Sequence, residues 1–189
     1  MNHHHFLLHK PHGFLSQFIY EKKRTKRLLG ELYNFPKGTM AIGRLDEDSE
    51  GLLLLTTDGM MSELVRAKSI EKEYYAQVDG LINQDAIEKL KYGVEIGFKG
   101  IRYVTKPCDA EIINKLPNFI GEGRKIRDER HGPTSWVTIT LTEGKFRQVR
   151  KMTAAVGFPT LRLVRVRIGN LSLKNLEVGN VKEVDSFDL

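Results

Sequence analysis

Residues 43–59 read GRLDEDSEGLLLLTTDG, and the change of character in the middle of that stretch sets the architecture. Before it lies a polar loop carrying Arg44 and four acids, Asp46, Glu47, Asp48 and Glu50. After it comes the apolar run Leu52 to Leu55, far too short for a membrane helix and of the length of a buried strand, Leu52 to Thr57. Asp58 then has the form of a helix N-cap, because its carboxylate can accept the first free amides of a helix running from Gly59 to about Lys68. The order loop, strand, capped helix puts a cluster of carboxylates at the mouth of a core strand, where a fold has no structural need of them.

Working outward, Lys72 to Asp79 alternates as a strand, with Tyr74, Ala76 and Val78 on one face. Asn83 caps a helix that Gly93 closes, and Val94 to Phe98 with Ile101 to Thr105 form a hairpin around Lys99-Gly100. Pro117 to Pro133 is Gly-rich, charged and aperiodic, a long loop of the kind that carries function. Ser135 to Thr142 and Leu161 to Ile168 are further strands. Between them Phe146 to Val156 reads as a helix with Phe146, Val149, Thr153 and Val156 on its apolar face and Arg147, Arg150 and Lys151 elsewhere. Phe6 to Ile19 reads as strand, turn, strand around Lys10-Pro11-His12-Gly13, Lys22 to Arg27 as an exposed loop, and His3 to His5 as a tail. Strands outnumber helices and short turns join most of them. The expected class is α+β, a mixed, largely antiparallel sheet with flanking helices, built as one domain over residues 1–189 that could divide into two lobes.

Charge narrows the partner. The 189-residue chain has 30 Lys and Arg against 24 Asp and Glu, a net charge of +6. The excess is concentrated: Gly144 to Leu176 holds eight basic residues and no acid. Such a block suits a polyphosphate through Coulomb attraction and counterion release, so nucleic acid leads as partner. No apolar run approaches a membrane span and no secretory signal opens the chain. Cys108 stands alone, which excludes an internal disulfide or a cysteine-built zinc site and fits a reducing compartment, the cytoplasm. No heptad or apolar seam points beyond a monomer. Three adjacent histidines cannot easily converge on one ion.

The acidic loop admits three readings from its residues. It could be a solvated turn. It could be a calcium loop, since Asp46, Asp48, Glu50 and Gly51 match its first, third, fifth and sixth positions, but the twelfth position, where a bidentate Glu belongs, is Thr57. Or one carboxylate could be held beside an arginine, ionised at neutral pH and ready to act as nucleophile or base.

The stretch from Gly43 to Gly59 resembles the catalytic motif of pseudouridine synthases of the small-subunit rRNA synthase A type. Three more blocks resemble that family in its own order: His9 to Phe18 its first motif, Lys72-Glu73-Tyr74 its tyrosine motif, and Glu143 to Met152 its basic helix motif. Gly157 to Leu163 and Pro133 to Trp136 look most like the large-subunit (23S) rRNA pseudouridine synthase E subgroup. The resemblance implies Asp46 as the carboxylate that attacks the ribose or initiates glycosidic cleavage, Tyr74 as the tyrosine packed on the target base, and Arg150 as the basic residue that pairs with the carboxylate. It implies ribosomal RNA, 23S rRNA in that subgroup, as substrate, and no metal or other cofactor. Arg44, Lys145, Arg147 and Arg165 are candidate RNA contacts. Many relatives carry an extra N-terminal RNA-binding module, whereas this chain starts almost directly at its Lys10-Pro11 motif. Substrate selection then falls to the catalytic domain, with the long loop and its Arg124, Lys125, Arg127 and Arg130 as the expected reader. A non-catalytic RNA-binding ribosome-assembly factor on the same fold is the competing expectation. It would need the basic groove but not Asp46.

Overall fold

A computed structural model describes residues 3–20, 25–67, 69–121, 126 and 129–189. In chain order the elements are β1 (His5–Lys10), β2 (Phe14–Leu15), β3 (Arg27–Leu28), β4 (Met40–Ile42), β5 (Glu50–Thr56), α1 (Gly59–Ala67), β6 (Lys72–Asp79), α2 (Gln84–Tyr92), β7 (Glu95–Phe98), β8 (Ile101–Val104), β9 (Asp109–Ile113), β10 (Thr134–Leu141), α3 (Gln148–Ala155), β11 (Thr160–Ile168), β12 (Leu171–Ser172) and β13 (Val181–Val184). They group into two compact units, residues 1–70 with 165–189, and residues 71–164. The expected α+β class and largely antiparallel pairing are what the structure has.

In the first unit the strand order is β13-β1-β5 followed by the second half of β11. The leucine run explains its centre. Leu52, Leu53, Leu54 and Leu55 are all fully buried, so β5 is apolar on both faces, as a strand covered on both sides must be. Register puts Leu55 opposite Phe6 and Leu53 opposite Leu8, and these four close over Leu29 to form one core. Phe35 seals its rim with edge-to-face rings at 5.4 Å from both Phe6 and Phe18. Asp58 caps α1 as expected, its Oδ1 accepting from Met60 N at 2.9 Å and Met61 N at 3.2 Å.

In the second unit β9, β10 and β6 form an antiparallel series beside the first half of β11. Tyr74 lies opposite Ile139 of β10 and, with Ala76 and Val78, packs into one core with Ile87 and Leu90 of α2 and Val149 and Met152 of α3. Asn83 Oδ1 accepts from Ala86 N at 2.9 Å and Gly93 ends α2 at φ +101°, the expected cap and stop. Such a cap is worth about 1 kcal/mol. Burial pushes the Cys108 thiol up to about 11, with Asp109 and Glu143 adding to it, and its Sγ points at Leu90 O at 3.2 Å. That is a packing cysteine.

The opening segment is strand, turn, strand as expected, with β2 pairing in parallel with β3. Three expectations change. His3 to His5 are not all tail: His5 opens β1 and is buried, and His4 Nδ1 lies 2.6 Å from Glu183. The long loop contains 3-10 turns at Asn118–Ile120 and Glu129–His131. The basic helix begins at Gln148 rather than Phe146, and Phe146 is 67% exposed instead of facing the core. Arg147 takes φ +53° at the N-cap, so the chain turns into the helix one residue too late for Phe146 to join it.

Candidate active site

Asp46, Arg44 and Arg165 belong to the first unit; Tyr74, Lys145, Arg147 and Arg150 belong to the second. Arg124, Lys125 and Arg127 lie outside the described residues, while Arg130 stands in the 3-10 turn Glu129–His131.

The Asp46 loop is held by its backbone. Ser16 Oγ donates to Leu45 O at 2.8 Å and accepts from Leu45 N at 3.0 Å. Gly13 N donates to Glu47 O at 2.8 Å, and Ser49 N to Asp46 O at 3.0 Å. Gly13, ahead of β2, and Ser16, just after it, therefore clamp the acidic loop on both sides of Asp46, whose side chain is half-buried. Glu47 receives Lys26 Nζ on both oxygens at 2.8 Å, which gives one of the three accessory acids a bracing role.

Lys10, at the end of β1, has no solvent exposure, and its ammonium donates to Pro11 O at 2.9 Å. Burial pulls its pKa down to about 8, while Glu50, Asp48, Asp46 and Glu47 each offset part of that pull. A buried cation thus stands in the field of the whole acidic loop, and its cost is repaid only while the carboxylates are charged. The unfolded lysine keeps its proton up to 10.5 and the folded one releases it near 8. Between those values the unfolded state binds more protons. Stability relative to Lys10→Met should therefore be level below about 8 and rise with pH up to about 10.5, by on the order of 3 kcal/mol. Urea melts of both proteins across that range check it; a flat difference would show that Lys10 is not perturbed.

The other end of the loop is fixed by contact. A Cβ on Gly51 would meet Arg165 O at 2.3 Å and Arg165 N at 2.6 Å, at a φ of +111°. Arg165 is not the surface cation its basic neighbourhood suggests. It is 4% exposed, and Nε donates to Leu52 O at 2.7 Å. Arg162 is buried too, donating to Ile120 O at 3.0 Å and Gly121 O at 3.1 Å, so it fastens the stem of the long loop. The basic block is partly internal scaffolding. Arg44 remains exposed beside Asp46 in sequence.

In the second unit, Arg150 leaves α3 with Nη1 donating to Thr160 O at 3.3 Å, and Thr153 Oγ1 meets Thr160 Oγ1 at 2.7 Å. These contacts tie the arginine's helix to the start of β11. Ahead of the helix, Glu143 is a hub that sequence reading missed. Its carboxylate accepts from Tyr103 Oη at 2.5 Å, Lys106 N at 2.9 Å and Gln148 Nε2 at 2.6 Å. Burial pushes the Glu143 carboxyl up, but these hydrogen bonds and the Lys145 charge outweigh it and hold it below the usual range. Lys145 Nζ lies 4.9 Å from the Tyr103 ring centroid. Nothing local could have revealed a partner 40 residues away on the β7-β8 hairpin.

Set against known proteins, residues 4–155 match the family described as RNA pseudouridylate synthase. Ribosomal large subunit pseudouridine synthase E of Vibrio parahaemolyticus is 41% identical over 94% of this chain and 72% of its own length. The protein of the same name from Xanthomonas campestris is 40% identical over 95% of both chains. A pseudouridylate synthase crystal structure aligns with 96% of this chain and 70% of its own, at 25% identity and a TM-score of 0.74. On that family match and those relatives, the chain belongs to the RNA pseudouridylate synthase family, and it is an isomerase.

Proposed function

We propose that the chain converts a uridine of large-subunit (23S) ribosomal RNA to pseudouridine. The observation that carries the reading is the clamped Asp46 loop, a half-buried carboxylate whose backbone is fixed from both sides. The two relatives named for large-subunit rRNA support the substrate. The isomerisation breaks the N1–C1′ bond, forms a C5–C1′ bond, removes the C5 proton and leaves a proton on N1. It needs a carboxylate to start glycosidic cleavage, a platform for the detached base and a group to accept the C5 proton. Asp46 takes the first role, Tyr74 the other two, and Arg150 the role of the carboxylate's basic partner. A stacked uracil must first be flipped out at a cost of a few kcal/mol, which phosphate contacts from Arg44, Lys145 and Arg147 help to offset. The loop bearing Arg124, Lys125 and Arg127 is the proposed source of site selection. The chemistry calls for no cofactor, and we take the protein to work as a cytoplasmic monomer.

The test is to incubate the purified protein with unmodified large- and small-subunit rRNA and map pseudouridine by chemical labelling and primer extension. A new stop in the large-subunit RNA alone is the expected result. Binding without any stop, on naked RNA and on ribosomal particles alike, would make the chain an assembly factor instead.

A further inference from the structure

Phe146 sits where an aromatic ring has no structural work. It is 67% exposed, yet the turn that presents it is braced by hydrogen bonds. Lys145 N donates to Gln148 Oε1 at 2.9 Å and Gln148 N to Lys145 O at 3.1 Å, so hydrogen bonds close around the ring's own residue. Gln148 is held in turn by Glu143, and Glu143 by Tyr103 and Lys106. Arg147 accepts a left-handed backbone to make the turn, a conformation that non-glycine residues adopt only under constraint. A mobile loop could fold a phenylalanine back against the core. This one is held so that it cannot.

The surroundings identify what would meet the ring. Lys151 Nζ lies 5.5 Å from the Phe146 centroid and is fixed by a hydrogen bond to Gly97 O at 2.8 Å. Lys145 and Arg147 flank the ring in sequence. The carboxylate of Glu143, three residues before the ring, is engaged by Tyr103, Lys106 and Gln148. An aromatic face among three cations suits a nucleotide, which brings a flat base and a phosphate together. A protein partner fits less well, since lysine is depleted in the cores of protein interfaces.

We propose that Phe146 is a base-stacking residue, taking the face of one unpaired nucleobase of the substrate RNA while Lys145, Arg147 and Lys151 neutralise the phosphates on either side. The inference rests on the RNA reading above but not on which uridine is isomerised. Stacking on an aromatic is tolerant of base identity, so the residue adds grip on the RNA strand rather than sequence choice.

The experiment titrates a fluorescein-labelled single-stranded oligouridylate with the full chain, reading anisotropy at several salt concentrations, for wild type, Phe146→Ala and Phe146→Tyr. Phe146→Ala should weaken binding by about 10-fold or more with the salt slope unchanged, since no phosphate contact is lost. Phe146→Tyr should bind within about twofold of wild type, as stacking is sequence-tolerant and needs only the ring. All three should melt together, because an exposed ring adds little to the core. Equal affinity across the series overturns the proposal, including the case in which the ring serves a protein. So does an Ala defect that tracks a lowered melting temperature. Because no turnover is measured, the outcome is separable from the activity. An Ala defect in a protein that makes no pseudouridine would sink the proposed function and keep this inference; the opposite pair of results would do the reverse.

Discussion

Asp46→Ala should lower pseudouridine formation by at least about 10^3-fold, the scale expected when an essential nucleophile is removed, while leaving RNA affinity and folding close to wild type. The separation follows from how the loop is built. Leu45 is held by Ser16 and Glu47 by Gly13, and the Asp46 carbonyl accepts from Ser49 N, so the backbone on either side of Asp46 is fixed by bonds that do not involve its carboxylate. Truncating the side chain deletes the carboxylate and leaves those bonds standing. Single-turnover assays at saturating enzyme would locate the loss in the chemical step, and filter binding would show the complex intact. Asp46→Asn, which keeps the shape and removes the charge, should be as inactive as Ala. If either variant kept activity within about tenfold of wild type, far below the nucleophile scale, the role assigned to Asp46 would be wrong.

The second large effect is on stability. Gly51→Ala should cost roughly 3–5 kcal/mol, near the upper end for a single substitution. The added Cβ would stand 2.3 Å from Arg165 O and 2.9 Å from Arg165 C, and these are backbone atoms that cannot rotate away as a side-chain tip could. The positive φ adds strain of its own. Relief requires the start of β5 and β11 to move apart, which would loosen the bond from Arg165 Nε to Leu52 O and release the acidic loop at its downstream end. Activity should therefore fall with stability. Gly59→Ala is the control, because a Cβ there meets nothing within 4 Å and the residue opens a helix. Urea denaturation of the three proteins decides the matter; if Gly51→Ala melts with wild type, the close approach is not real.

What could be read ahead of the structure followed the range of the interactions. The caps at Asp58 and Asn83, the Gly93 stop, the β7-β8 hairpin and the leucine strand are all dictated by residues within a few positions of one another, and each stands where expected. The short strands β3, β4, β12 and β13 were invisible, since two to four residues without alternation carry no period and are recruited by neighbours distant in sequence. The motif around Asp46 was legible as that of the family the chain belongs to. The Glu143 hub, the burial of Lys10 and the inward turn of Arg165 were not, because a charged residue in a sequence announces its charge and not its depth. Phe146 was misread for a related reason. Helical spacing placed it on the apolar face, and one left-handed residue, Arg147, took it off the helix.

The division of the chain has a consequence for synthesis. The second unit is continuous, residues 71–164, but the first is assembled from both sides of it. The His5–Val184 and Leu8–Val181 pairings join strands made at opposite ends of the sequence. During synthesis β1 waits for β13 until residue 184 has emerged, its edge open meanwhile, whereas the continuous unit is all made once residue 164 clears the exit tunnel. Contacts of such long sequence separation form late and expose sticky intermediates. The order of acquisition is then the continuous unit first and the Asp46 unit second, so a nascent chain would carry the basic helix before the sheet beneath the acidic loop is complete.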